Sequence, residues 1–134
     1  MKNANLRKPF ILIILIATII FTCQSCLVSR CKRPQIIGYV YDSITKKPIE
    51  NCKVGENTTD AKGYFQLKEL RYSEFTFMGY EAPPLMVNET IYKEGYQKKS
   101  IALFNPFGGG IRKGALHNAD TIFLRRIPLI IKQL

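Results

Sequence analysis

Ile36-Ile37-Gly38-Tyr39-Val40-Tyr41-Asp42, then Thr45 and Pro48-Ile49, then Asn57-Thr58-Thr59-Asp60-Ala61-Lys62-Gly63-Tyr64-Phe65-Gln66-Leu67, is the stretch that decides the fold of this 134-residue chain. β-Branched and aromatic residues crowd its opening run, which predicts a strand over Gln35 to Asp42. Asp42 to Pro48 carries turn formers at both ends and leads to a second strand near Cys52 to Glu56. Asp60-Ala61-Lys62-Gly63 is a further corner: an Asp side chain bonds its own backbone there, and Gly supplies a positive φ. Tyr64 to Leu67 resumes as a strand with Phe65 and Leu67 on one face.

Toward the C-terminus the same alternation continues. Phe75 to Tyr80 reads as a strand with Phe75 and Phe77 inward, and Pro83-Pro84 marks a loop because proline cannot sit in a central strand. Met86 to Lys93 is extended, Gly95-Tyr96 ends it, and Lys99 to Phe104 places Ile101 and Leu103 on one face. Asn105 to Asn118 reads as a loop, Asp120 to Arg126 as the last strand, and residues 127–134 as an apolar tail. No helical period persists after residue 30. Six or seven short strands at near-regular spacing predict an all-β sandwich. Phe65, Leu67, Phe75, Phe77, Ile91, Ile101, Leu103, Ile122 and Leu124 are its expected core.

The N-terminus has a different character. Lys2, Arg7 and Lys8 precede the apolar run Phe10 to Phe21, and Thr22-Cys23-Gln24-Ser25-Cys26 follows. A positive start, a short apolar stretch and small residues at its end are the layout of a secretory signal helix. The run is short against the roughly 20 apolar residues that a membrane span needs. Its end resembles the lipobox of bacterial lipoproteins, in which a Cys after the apolar stretch is acylated and becomes the mature N-terminus. The resemblance implies lipidation at Cys26, behind Ser25, with Cys23 as second choice, and a membrane contact through that lipid. An uncleaved anchor from Phe10 to Val28 is the other reading. The expected organisation is a signal peptide over 1–25, a tether over 26–34, a sandwich over 35–126 and the tail.

Lys and Arg number 20 against 10 Asp and Glu, a formal charge of +10. The positives are scattered in pairs at expected turns and strand ends without an aromatic platform between them, which argues against nucleic acid as a partner. Arg30, Lys32 and Arg33 lie next to the expected lipid, where each basic residue gains roughly 1 kcal/mol against anionic headgroups. Cys31 and Cys52 remain after the signal, and an oxidising compartment allows them to pair as a disulfide.

The residues Ile36-x-Gly38-x-Val40-x-Asp42, Thr45, Lys47-Pro48-Ile49, Val54 and Thr59-Asp60-x-x-Gly63-x-Phe65-x-Leu67 resemble the carboxypeptidase regulatory-like domain. Lys93-Glu94-Gly95-Tyr96 and Asp120-Thr121-Ile122-Phe123-Leu124 resemble its later strand ends. The resemblance spans roughly residues 35 to 126 and implies a transthyretin-like, seven-stranded β-sandwich. Such domains accompany metallocarboxypeptidases and outer-membrane receptors or stand alone as lipoproteins, acting as folding aids, spacers or interaction modules without an active site. The implied function is a non-catalytic interaction or scaffolding module of a Gram-negative cell envelope, meeting an envelope protein. A binding module for a glycan, peptide or hydrophobic ligand is the alternative.

The residue types agree with that implication. A triad needs a positioned base, and the one histidine, His117, falls in an expected loop. Glu56 and Asp60 fall short of the six or more oxygens calcium takes, and no Cys-x-x-Cys pair with a partner His points to zinc. Gly108-Gly109-Gly110 lacks the Gly-Lys-Ser/Thr of a phosphate loop. No catalytic residue, metal ligand or cofactor is therefore assigned. Asn57-Thr58-Thr59 and Asn88-Glu89-Thr90 are glycosylation sequons, relevant only to a eukaryotic chain. Tyr39, Tyr41, Tyr64, Tyr80 and Tyr96 alternate with apolar positions. Covering a sheet face is their expected role, and an exposed patch for a partner or glycan is the alternative.

Overall fold

A computed structural model describes residues 4–23, 27–76 and 81–128. One helix, α1 (Ala4–Cys23), precedes nine strands: β1 (Leu27–Arg33), β2 (Gln35–Asp42), β3 (Lys53–Val54), β4 (Asn57–Thr58), β5 (Tyr64–Leu67), β6 (Leu70–Phe75), β7 (Leu85–Tyr92), β8 (Lys99–Asn105) and β9 (Leu116–Leu124). The chain divides into two compact bodies. One takes in α1 with residues 27–29, 73–76 and 81; the other takes in residues 30–72 and 82–128. α1 is apolar throughout its middle, and Phe10, Ile13 and Ile20 are all more than half exposed. Among the described residues no helix is long and apolar enough to cross a membrane.

The second body is all-β, with open sheets. β5, β2 and β9 form a three-stranded sheet and β4, β3, β7 and β8 a four-stranded sheet; β1 pairs with β6, and residues 30–33 and 70–72 of those two strands belong to this body. β2 occupies the predicted span, and its even-numbered residues Ile36, Gly38, Val40 and Asp42 are buried. β5 likewise buries Phe65 and Leu67. The corner between them works as its residues dictate. Asp60 Oδ1 accepts the backbone N–H of Lys62 at 2.9 Å and of Tyr64 at 2.8 Å, while Gly63 turns the chain at φ +74°.

Both sheets contribute to a single hydrophobic core. Ile36, Val40, Phe65, Leu67 and Leu124 come from the first, and Val54, Leu85, Val87, Ile91 and Ile101 from the second. Leu103 and Ile122 pack against this core while partly exposed. At about 25 cal/mol per Å² of apolar surface withdrawn from water, such burial is the main favourable contribution to folding.

Four segments differ from the sequence expectation. The span expected as a tether is strand β1, with Cys31 and Arg33 buried, because one of its basic residues, Arg33, finds the carboxylates of Glu56 and Glu89. Strand β6 precedes the span expected at Phe75 to Tyr80 and ends at Phe75, which is 70% exposed rather than in the core. Phe77 and Tyr80 lie outside the described residues. β4 is an added short strand, returned from β3 by Gly55 at positive φ.

The fourth difference is at β9, which begins at Leu116 and runs parallel to β2. Ile37 aligns with Asn118 and Tyr39 with Thr121, so two residues of β9 oppose Gly38 alone. This is a β-bulge. Asp120 takes φ +53° within it, and its carbonyl presses against Gly38, where a Cβ would lie only 2.9 Å away. The inward side chains shift phase across the bulge, from His117 and Ala119 to Ile122 and Leu124.

Candidate functional site

The structure separates the residues that the sequence singles out. Cys26 lies outside the described residues. Cys23 closes α1, and its side chain also lies outside them. Cys31 and Cys52 are both buried and are free thiols. Cys52 Sγ donates to Tyr92 O at 3.5 Å. Burial pushes both thiols up from their ordinary pKa, most strongly by desolvation, so neither has the thiolate character of a reactive cysteine.

His117 stands in β9 rather than in a loop, opposite Ile36. Among the described residues no group of three His, Cys, Asp or Glu side chains is placed to hold a metal. Glu56 pairs with Arg33, and Asp60 is spent on its turn. The triple glycine forms a 3-10 turn packed on the body. Gly109 donates its N–H to Pro83 O at 2.9 Å, and a Cβ on Gly108 would fall 2.3 Å from Leu85 Cβ. These glycines are there for close packing.

Two constellations stand out instead. The first is on the outer face of the three-stranded sheet. Tyr39 and Tyr41 leave β2 on the side opposite the core, Tyr64 leaves β5, and Phe123 leaves β9. Tyr39 meets Tyr64 with ring centroids 5.4 Å apart and Tyr41 at 6.4 Å, and Tyr41 meets Phe123 at 6.4 Å. Lys46 Nζ sits 4.3 Å above the Phe123 ring. Tilted and edge-on pairs at these separations are the favourable arrangement of aromatic quadrupoles. Tyr39 remains 42% exposed and Phe123 38%, so the row covers the sheet face while leaving these two rings accessible to solvent. The alternation of tyrosines in β2 and β5 signals it. Phe123 joins only through the parallel pairing of β9 with β2.

The second constellation is at the end of β2. Asp42 is 2% exposed, yet its carboxylate is fully engaged. The backbone N–H groups of Ile44 and Thr45 donate to Oδ1 at 2.8 and 3.0 Å. The Tyr96 hydroxyl donates to Oδ2 at 2.9 Å, and Arg126 Nε donates to the same oxygen at 2.6 Å. Tyr96 thus turns away from the tyrosine row. The Thr45 N–H and the Arg126 guanidinium hold the Asp42 carboxyl well below the usual carboxylate range. Burial, and then Asp42 itself, push the Tyr96 hydroxyl up.

The pH dependence has a definite sign. A carboxylate whose folded pKa is depressed stabilises fully above its unfolded value, about 3.9 for Asp, and loses that contribution as pH falls toward the folded value. Asp42→Asn is therefore expected to lower the urea midpoint at pH 7 and to flatten its decline below about pH 4. Glu56, depressed mainly by its hydrogen bond with Arg33, leaves a residual slope. Urea midpoints from neutral pH to about pH 2 check this, and parallel curves for the two proteins would refute it.

No protein-family model matches the chain, and no curated protein matches it.

Proposed function

We propose that this chain is a non-catalytic interaction module of a bacterial cell envelope, carried on a carboxypeptidase regulatory-like, transthyretin-like sandwich and anchored through an acylated Cys26. The row of Tyr39, Tyr41, Tyr64 and Phe123 on the outer sheet face is the observation that carries this reading. Tyrosine brings large, rigid contact area at a low cost in conformational entropy, and it is enriched at the centres of protein interfaces. The lipobox-like start supports the anchor, and the multiple acylation typical of lipoproteins gives stable attachment where one chain does not. An envelope protein is the partner proposed. A glycan is the second reading, favoured by the same exposed rings.

The test places a photo-crosslinking amino acid at Tyr39 in the full chain in its native membrane, with Asn88 on the four-stranded sheet as control. Defined adducts from Tyr39 and none from Asn88 are expected, together with at least a roughly tenfold loss of adduct when Tyr64 and Phe123 are replaced by alanine. Equal adducts from both positions, or none from either, would refute the reading. A palmitate analogue should label wild type but not Cys26→Ala. Label that survives Cys26→Ala and disappears in Cys23→Ala would move the anchor to Cys23.

A further inference from the structure

The end of β2 also borders an open cleft of about 390 Å³, within the range that small-molecule sites occupy. It is separate from the tyrosine row, none of whose residues lines it. Five charged side chains line it: Lys47, Lys93 and Arg126 against Asp42 and Glu50.

Their hydrogen bonds divide them into engaged and available groups. Asp42 is saturated by the four donors described above. Arg126 gives Asp42 its Nε, and among the described residues its two terminal amino groups make no hydrogen bond, while the side chain is 57% exposed. Its centre stands 5.7 Å from the Tyr96 ring, which adds a cation-π constraint on its position. Lys93 Nζ donates to Glu50 O at 2.9 Å and Asn51 O at 3.3 Å, which uses two of its three protons. Lys47 projects from the exposed turn.

We propose that this cleft binds a small organic monocarboxylate. The terminal amino groups of a guanidinium form a planar fork that matches the two oxygens of a carboxylate. Here Asp42 is the positioning residue, because its bond to Nε fixes the plane of that fork. Lys47 and the remaining proton of Lys93 supply further positive charge. The five charges leave one net positive, which a single negative charge neutralises. That balance favours a carboxylate over a phosphate dianion, which would meet Glu50 with charge to spare. Pro48 and the Tyr96 ring line the same cleft and offer the apolar surface that an organic acid carries beside its carboxylate.

Amide-resolved NMR of the isotopically labelled full chain in a non-ionic detergent tests this, with N-acetyl-leucine as probe. N-acetyl-leucinamide and inorganic phosphate are the comparisons. The amides of Thr45, Lys47, Glu50 and Tyr96 should shift saturably with the acid, and the amide analogue should bind at least roughly tenfold more weakly. Lys47→Gln, at an exposed position whose loss leaves the fold intact, should weaken the acid by about threefold, and Arg126→Gln by more than tenfold. No saturable shift below about 20 mM, an equal response to the amide, tighter binding of phosphate, or unchanged affinity in Lys47→Gln would each overturn the proposal. The tyrosine row can fail its own test without affecting this one.

Discussion

Phe65→Ala is expected to lower the free energy of unfolding by about 4 kcal/mol, the largest effect of any single substitution in the core. Phe65 is 1% exposed and is the largest of the fully buried side chains. Its ring reaches across the sheet to Gly38, where a Cβ would come within 3.0 Å of it. The bulge at Asp120 closes the same spot from the other side. Truncation leaves a void bounded by a bulge and a glycine, and neither can collapse into it without breaking ladder hydrogen bonds. Set against the roughly 5–15 kcal/mol that holds a domain of this size together, the variant should sit near its folding limit at 37 °C. Phe65→Leu keeps most of the volume and should cost less than about 1.5 kcal/mol. Urea denaturation with an unchanged m-value measures both, and a loss under about 1.5 kcal/mol for Phe65→Ala would show that the ring is not central to the core.

Arg33→Ala is expected to destabilise by about 3 kcal/mol, through charge rather than volume. Arg33 is 3% exposed, a rare state for an arginine unless it is paired. Its Nη1 donates to Glu56 Oε2 at 2.8 Å and to Glu89 Oε1 at 2.5 Å. Its Nη2 bonds Glu56 Oε1 and also donates to Lys68 O at 2.8 Å. One guanidinium therefore joins β1 to residues beside β4 and β5 and to Glu89 within β7. Removal leaves Glu89, whose side chain is only 18% exposed, without its cation, whereas Glu56 at 49% keeps much of its hydration. That difference places the cost at the lower end of the range for a broken buried pair. Arg33→Lys retains the charge but cannot span two carboxylates and a carbonyl, so it should recover less than half of the loss. Full recovery by lysine in thermal melts would show that charge alone matters there.

Local chemistry made the first half of the sheet legible. Alternation over Gln35 to Asp42 and Tyr64 to Leu67, with Asp60 and Gly63 between them, is written into neighbouring residues, and β2, β5 and their corner stand where it puts them. β9 was legible only from Asp120 onward, because the bulge at Asp120 reverses its phase and the period-2 signal cancels across it. β1 was hidden by its basic residues, which by themselves signify a solvated flank. Phe75 alternates with Phe77 in the sequence, yet it ends a strand that lies toward solvent.

The candidate sites divide in the same way. Tyr39, Tyr41 and Tyr64 were visible as a set, whereas Tyr96 separates from them because its hydroxyl finds Asp42, 54 positions earlier. Arg126 reaches that same carboxylate across 84 positions. The sequence by itself determined the β character of the chain, its turns, and a tyrosine face on β2 and β5, since each depends on residues within a few positions of one another. Only the tertiary structure decided that Arg33 is buried, that Phe123 completes the row, and that Asp42, Tyr96 and Arg126 meet beside one cleft. Those outcomes depend on desolvated charges finding partners far along the chain, and no local period records where such a partner lies.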